Sequence, residues 1–198
     1  RFDFLKSRLG LTAAETLAPG SPFGYPRQGV VHLPRNLPDP SSQPRDFEQI
    51  AIKAIAHYLD QTQGKAFVLF TSYKMLESAA RALTPWLAER NIALFAQSDG
   101  MPRSKMVDAF KADVNSVIFG ADSFWQGVDV PGEALSNVII VRLPFSVPSH
   151  PLLEARMEEI RNRGGNPFME YQVPEAVIKL KEWFGRLIRS QNDRGIVV

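Results

Sequence analysis

The sequence predicts an open α/β fold, in which a mostly parallel sheet carries helices on both faces. Segments with the composition of strands alternate along the chain with segments of helical periodicity. The strand segments, such as KAFVLFTS at 65–72, are apolar at nearly every position, which is typical of parallel strands buried on both faces. Because ligands of such sheets bind beyond the carboxyl ends of the strands, the loops after Ser72, Gly120 and Pro144 are candidate functional sites.

The first 45 residues are rich in proline, glycine and serine. A short helix is predicted over 2–9 and a strand over 29–33, and the segment 36–46 has the composition of a turn-rich connector. From Phe47 onward the pattern becomes regular. Helices are predicted where apolar residues recur at three- to four-residue spacing, at 47–59, 74–90, 104–113, 151–163 and 174–190. Apolar runs between them predict strands at 65–72, 92–97, 116–120, 137–145 and 195–198.

The helix predicted over 174–190 has an unusual polar face. Glu182, Arg186 and Arg189 lie four and three residues apart and project together from one side. An ordinary solvated face would explain them, with a Glu182–Arg186 pair contributing about 0.2–0.5 kcal/mol. Gly185 argues against that reading, because glycine inside a helix costs about 0.8–1.0 kcal/mol relative to alanine. Two arginines beside such a gap suit a bidentate grip on phosphate oxygens. The opposite face is predicted to be core: Ala176, Val177, Leu180, Trp183, Phe184, Leu187 and Ile188.

A second cluster, FGADSFWQGVDVPG at 119–132, follows a predicted strand. Asp129 could accept hydrogen bonds from ribose hydroxyls or from an arginine, and Gly127 would let a ligand approach closely. The alternative is a turn closed by the aspartate side chain. Phe124 and Trp125 are expected in the core rather than stacked on bases. Downstream, RNRGG at 161–165 reads as a helix end closed by glycine.

A third cluster, FVLFTSYKML at 67–76, releases Thr71, Ser72 and Tyr73 between a buried strand and a helix. Hydroxyls and backbone amides at a helix start bind phosphate well, including that of a nucleic-acid backbone. The alternative is that Thr71 or Ser72 only caps the helix.

Composition narrows the classes of function. The 198 residues carry 23 basic and 21 acidic side chains, for a formal net charge of +2, so nucleic-acid affinity would have to come from local patches. There is no cysteine, and the three histidines show no metal-ligand spacing, so we expect no metal to be bound by this chain. No apolar run approaches 18 residues, and we expect a cytoplasmic protein with no membrane partner.

In this order and spacing the three clusters resemble the C-terminal motor domain of the DinG/XPD-like helicases of superfamily 2. FVLFTSYKML is similar to motif IV of that family, and GADSFWQGVDVPGEALSNVIIVRLPF to motif V and the strand after it. EWFGRLIRS is similar to motif VI, which the family writes as Q-x-x-G-R-x-x-R. The segments FDFLKSRLGL, GSPFGY and LPRNLPDP resemble the region after motif III, so the resemblance covers nearly the whole chain.

The resemblance implies a RecA-like (P-loop NTPase-like) fold and a role for each motif residue. Arg186 would be the arginine finger and Arg189 a second γ-phosphate contact. Gly127 and Asp129, with Gln126, Glu182 and Gly185, would lie at the nucleotide. Single-stranded nucleic acid, DNA rather than RNA, would be contacted around Thr71, Ser72, Tyr73, Lys74, Gln97 and Arg103.

Two positions depart from the family pattern. Glu182 stands where motif VI has glutamine, and Gln126 stands where many relatives have glutamate in motif V. We hypothesise that the two form an exchanged amide and carboxylate pair. A separation well beyond hydrogen-bond reach in the nucleotide-bound, assembled motor would contradict this pairing. If the two residues do not pair, Glu182 adds negative charge near the phosphates and should weaken nucleotide affinity.

The sequence contains neither G-x-x-x-x-G-K-[ST] nor a D-E-A-H-like acidic box. Without a phosphate cradle and a magnesium carboxylate, this chain alone is expected not to hydrolyse ATP. In the family both belong to the first motor domain, which would precede Arg1 and share ATP and Mg²⁺ with this one. We expect residues 1–45 to be a connector with a first strand, and 46–198 the RecA-like helicase C-terminal domain, as one structural domain overall.

The leading interpretation is therefore the second motor domain of an ATP-dependent DNA helicase that moves 5′ to 3′ on single strands, unwinds duplexes and serves repair or replication. One alternative is a non-catalytic nucleic-acid-binding module of RecA-like fold. Another is a small-molecule binding protein of α/β fold. A P-loop and an acidic box upstream of Arg1 would favour the motor, and salt-dependent binding of single strands would exclude the small-molecule protein.

Overall fold

The computed structural model describes residues 2–20, 23–121, 124, 130, 135–146, 150–188 and 190–198, without the side chains of Phe184 and Arg186. The chain forms two compact units. We call Arg1–Pro22 with Phe145–Ile178 the helical unit, and Phe23–Pro144 with Lys179–Val198 the sheet unit. The predicted boundary near residue 45 is a different division of the chain, and it stays a prediction.

The sheet unit is built on six strands, and every strand pairing among the described residues is parallel. The spatial order is β1-β6-β5-β2-β4-β3, so β4 lies between β2 and β3. The predicted parallel sheet is thus confirmed. The strands are β1 Gly29–Val31, β2 Ala66–Phe70, β3 Ala93–Ala96, β4 Ser116–Ala121, β5 Asn137–Ile140 and β6 Gly195–Val197.

Helices cover both faces of the sheet, as predicted. Successive residues of β2 point to opposite faces: Val68 and Phe70 belong to one core cluster with residues of α3 and α4, whereas Phe67 and Leu69 belong to a second with residues of α5 and α7. All four are at most 2% exposed, which explains why β2 is apolar throughout. The helices are α1 Asp3–Leu9, α2 Tyr25–Gln28, α3 Pro44–Thr62, α4 Tyr73–Glu89, α5 Arg103–Ala112, α6 Pro151–Asn162 and α7 Val173–Leu187.

The turn-rich segment before α3 is ordered by local hydrogen bonds. The Ser41 amide and the Ser42 hydroxyl donate to the two carboxylate oxygens of Asp39, at 2.9 and 3.0 Å. These bonds, that of the Ser41 amide above all, hold the pKa of Asp39 below its usual value. The Arg142 guanidinium, from the segment after β5, donates to the Pro40 carbonyl at 3.1 Å.

The helical unit contains α1, α6 and a π-helix at Phe168–Gln172. Arg8 of α1 lies 4.5 Å from the ring centroid of Tyr171 and pairs with the Glu175 carboxylate at 3.0 Å. The glycine-closed helix end predicted at 161–165 is confirmed: Gly164 has φ 81°, and its amide donates to the Arg161 carbonyl at 2.9 Å.

Candidate functional site

The carboxyl ends of β2, β3 and β4 lie side by side because the three strands are parallel neighbours. β2 leads into Thr71 and Ser72, β3 leads into a 3₁₀ turn at Gln97–Asp99, and β4 ends at Ala121. The fold therefore gathers the segment similar to motif IV and the start of the segment similar to motif V at one edge of the sheet. We call this edge the candidate functional site.

Ser72 caps α4. Its side-chain oxygen accepts a hydrogen bond from the Met75 amide at 3.2 Å, so this serine caps the helix, as one of the two interpretations of the sequence predicted. Thr71 and Lys74 are exposed, as is Tyr73, whose exposed fraction is 48%. The hydroxyl, ammonium and phenol groups of these three residues thus face solvent at the start of a 17-residue helix.

The side chain of Gln97 connects the start of α4 to the end of β4. Its Nε2 donates to the Tyr73 hydroxyl at 2.6 Å, and its Oε1 accepts from the Ala121 amide at 2.8 Å. Gln97 was predicted only as a nucleic-acid contact, and the sequence gives no indication of either partner, since both lie 24 positions away along the chain.

Arg103 begins α5, and its guanidinium carbon lies 5.5 Å from the ring centroid of Phe124. Phe124 is 1% exposed, which confirms its predicted place in the core. Its ring also explains Gly120, because a Cβ there would lie 2.9 Å from Phe124 Cδ1. Sequence reasoning missed this close approach, although a glycine inside an apolar strand could have indicated it.

The residues predicted to face the nucleotide lie mostly outside the described part of the chain. Gln126, Gly127, Asp129 and Arg189 are outside it, as is Trp125, and Arg186 is described only by its backbone within α7. Their roles stay predictions, and so does the pairing of Gln126 with Glu182.

α7 does show how the motif VI segment is anchored. Trp183 and Leu187 are 5% and 2% exposed, and Ile188 just beyond the helix is 1% exposed, so this part of the predicted apolar face is core. Val177 is 41% exposed, contrary to the prediction, because it lies one residue, or about 100° of rotation, off the stripe through Ala176 and Trp183.

Glu182 and Gly185 are the described residues of the polar face. The Glu182 side chain is exposed. A Cβ built at Gly185 would have no other described atom within 4 Å beyond its own helix backbone. The glycine is therefore not required by packing among the described residues.

The chain is similar over its length to named DNA helicases. Residues 55–198 match the family described as helicase C-terminal domain. All of the chain aligns, at 39% identity, with 30% of the ATP-dependent DNA helicase YoaA of Haemophilus influenzae. The identity is 41% to YoaA of Escherichia coli, over 97% of this chain and 29% of that protein. The 3′-5′ exonuclease DinG of Bacillus subtilis is 37% identical over all of this chain and 22% of its own length. The chain thus spans less than a third of these relatives.

Solved structures share the fold. Xpd4 of S. tokodaii has a TM-score of 0.60 and 17% identity, over 86% of this chain and 33% of its own. A second XPD structure has a TM-score of 0.58 and 18% identity, over 85% of this chain and 34% of its own. Together with the six parallel strands, this confirms the RecA-like fold. Within the described ranges, no helix combines the length and the apolar character needed to cross a membrane.

Proposed function

The chain belongs to the helicase C-terminal domain family, and we propose that it is the second motor domain of an ATP-dependent DNA helicase. The observation that carries the proposal is the similarity of nearly the whole chain to two proteins named ATP-dependent DNA helicase. In the complete protein the motor moves along single-stranded DNA, in the 5′ to 3′ direction, and separates duplexes during repair or replication. A motor that acts on bacterial DNA works in the cytoplasm, and we extend that location to this chain.

Nucleotide binds between this domain and a first motor domain of the same polypeptide. That domain contributes the phosphate cradle and the magnesium carboxylate that the present sequence lacks, so this chain alone is inactive. Beyond its own helix, no described residue packs against Gly185, so the described part of the chain does not oppose a nucleotide at this helix. ATP, when bound with Mg²⁺, supplies the phosphoryl group that is transferred to water.

From this chain, Arg186 and Arg189 offer guanidinium groups to the phosphates, and Gly127, Asp129, Gln126 and Glu182 line the same site. Guanidinium suits this role because its donors match phosphate oxygens bidentately and it stays charged at any relevant pH. Glu182 departs from the family pattern in this set, because it places a carboxylate, which repels phosphate, where motif VI has a neutral glutamine.

The single strand lies across the carboxyl edge of the sheet. Exposed side chains of Thr71, Tyr73 and Lys74 at the start of α4, and Arg103 at the start of α5, supply hydrogen-bond donors and positive charge there. Ser72 and Gln97 belong to the same edge. Contacts to phosphate rather than to base edges suit a motor, because it must move regardless of sequence.

Replacing Arg186 by alanine in the complete helicase tests the proposal. DNA-stimulated ATP hydrolysis should fall by roughly 10³-fold or more, because an arginine finger stabilises charge that develops only on the transferred phosphoryl group. Binding of single-stranded DNA should persist. R81A is the matched control, since Arg81 is an exposed arginine on α4 of the sheet unit. Hydrolysis by R186A at the wild-type rate would remove the arginine-finger role, and a complete protein that binds DNA without hydrolysing ATP would favour the non-catalytic module.

A further inference from the structure

The amide of Ala121 lies where β3 can no longer pair with β4. The last residue of β3, Ala96, pairs with Phe119, and β4 continues two residues further, to Ala121. The side chain of Gln97, the next residue after β3, accepts the hydrogen bond of the Ala121 amide at 2.8 Å. The Gln97 side chain thus takes the place of a further β3 backbone carbonyl as the acceptor for β4, beyond the point where β3 ends.

This contact fixes the direction of the neighbouring hydrogen bond. A backbone N–H only donates, so the atom of Gln97 that faces Ala121 must be the oxygen. The nitrogen Nε2 therefore faces Tyr73, and because an amide nitrogen only donates, the Tyr73 hydroxyl oxygen is the acceptor at 2.6 Å. The hydroxyl proton of Tyr73 is consequently not spent on Gln97 and remains available to another acceptor.

The surroundings of Tyr73 favour an anionic acceptor. Tyr73 is the first residue of α4, its exposed fraction is 48%, and no acidic residue occurs in the first turn of this 17-residue helix. Lys74 follows it and is exposed. The helix start and the lysine ammonium both favour negative charge, and a phosphate oxygen accepts a phenol hydrogen bond well.

We propose that Gln97 is a positioning residue, which turns the Tyr73 hydroxyl outward to donate to a phosphate oxygen of a bound single strand. This assignment rests on the proposed function and replaces a direct contact between Gln97 and the strand. It also ties the phosphate contact to the end of β4, because Gln97 holds the Tyr73 hydroxyl and the Ala121 amide at once. Ala121 lies near the start of the segment that carries Gly127 and Asp129.

The substitution Q97E tests the direction of the hydrogen bonds while it keeps the shape of the side chain. One carboxylate oxygen can still accept from the Ala121 amide, but the other can only accept from Tyr73, so the hydroxyl proton is drawn inward. The dissociation constant of the complete helicase for a labelled oligo-dT, at fixed salt, should rise roughly tenfold, as expected for loss of one hydrogen bond to a charged group. Y73F should raise it by a similar factor.

A double-mutant cycle separates the lost donor from the added charge. In the Y73F background Q97E should cost less than about threefold, because only the charge effect is left. S98D, which places a carboxylate at the next, exposed position, measures that charge effect in the wild-type background. Hydrogen exchange of the Ala121 amide in the unliganded chain reports on the fold, and Q97E should keep its protection whereas Q97A should lose it.

Two outcomes would overturn the inference in distinguishable ways. Wild-type binding of oligo-dT with additive effects of Y73F and Q97E would reject the role of Gln97 and leave the proposed function standing. Failure of the complete wild-type helicase to bind single strands at any salt concentration would reject both. Equal weakening by Q97E and S98D would also reject the role of Gln97, since charge alone would then explain the loss.

Discussion

At Gly185, one substitution should have opposite effects on the stability of the fold and on nucleotide binding. It lies inside α7, and a Cβ at this position would have no other described atom within 4 Å beyond the helix backbone. G185A should therefore raise the free energy of unfolding of this chain by about 0.8–1.0 kcal/mol, the difference in helix propensity, and urea unfolding measures it. If a nucleotide approaches the helix here, the same variant should weaken ATP binding by the complete helicase. A stabilised variant with unchanged nucleotide affinity would contradict the functional explanation of the glycine.

Gly120 is predicted to respond in the opposite direction. Its Cβ would lie 2.9 Å from Phe124 Cδ1, and Phe124 is only 1% exposed, so the ring cannot move away into solvent. G120A should lower the free energy of unfolding by about 1–3 kcal/mol, the usual cost of overpacking a core. Partial recovery in the double variant G120A/F124L, in which a smaller side chain relieves the contact, would identify the ring as the cause. Stability equal to wild type in G120A would show that the strand shifts freely at this position.

The two glycines also show how far residue-level prediction reaches. Gly185 stood out in the sequence because glycine is costly inside a helix, which is a local property. Gly120 is explained by an aromatic ring four residues later, and Gln97 by partners 24 positions away in both directions. The Gln97 contacts depend on which strands become neighbours in the sheet, and hydrophobic periodicity does not determine that order.

At the scale of elements, the start of α4 depends on one capping side chain. Ser72 Oγ accepts from the Met75 amide, which would otherwise lack a partner in the first turn. S72A should reduce the free energy of unfolding by about 1 kcal/mol, whereas S72N should stay near wild type because asparagine caps equally well. Thermal unfolding of the two variants provides the comparison. Equal destabilisation by both would show that the serine acts through something other than the cap.

The strands and helices were largely predictable in position, and least so in their ends. β5 illustrates the reason: the apolar run predicts a strand over 137–145, but β5 ends at Ile140. Ile140 pairs with Leu69, one residue before β2 ends at Phe70, so the partner strand limits the length that can be paired. The π-helix at Phe168–Gln172 was not predicted; its start is held by Asn166, whose side chain accepts from the amides of Phe168 and Met169.

At the scale of the whole molecule, the small net charge of +2 makes the distribution of charge more important than its sum.

The helical unit is also a property of the folded chain rather than of any one segment, because it joins residues that are more than 120 positions apart in sequence. Arg8 and Tyr171, which contact each other within that unit, belong to its two separate segments. A boundary placed by composition near residue 45 cannot detect a unit assembled in this way.

A localised phosphate-binding edge predicts a distinctive salt dependence. For single strands, the logarithm of the association constant falls with the logarithm of the salt concentration with a slope of about −0.7 for each phosphate neutralised. Lys74 is exposed at the start of α4, at the carboxyl edge of the sheet, whereas Lys111 is exposed in the last turn of α5, a helix that begins at that edge and runs away from it. K74A should therefore reduce the magnitude of the slope for oligo-dT binding by about 0.7, and K111A should leave it unchanged, although each variant lowers the net charge by the same amount. Equal slopes in the two variants would mean that the strand responds to overall charge, and the placement of single-stranded DNA along this edge would then be wrong.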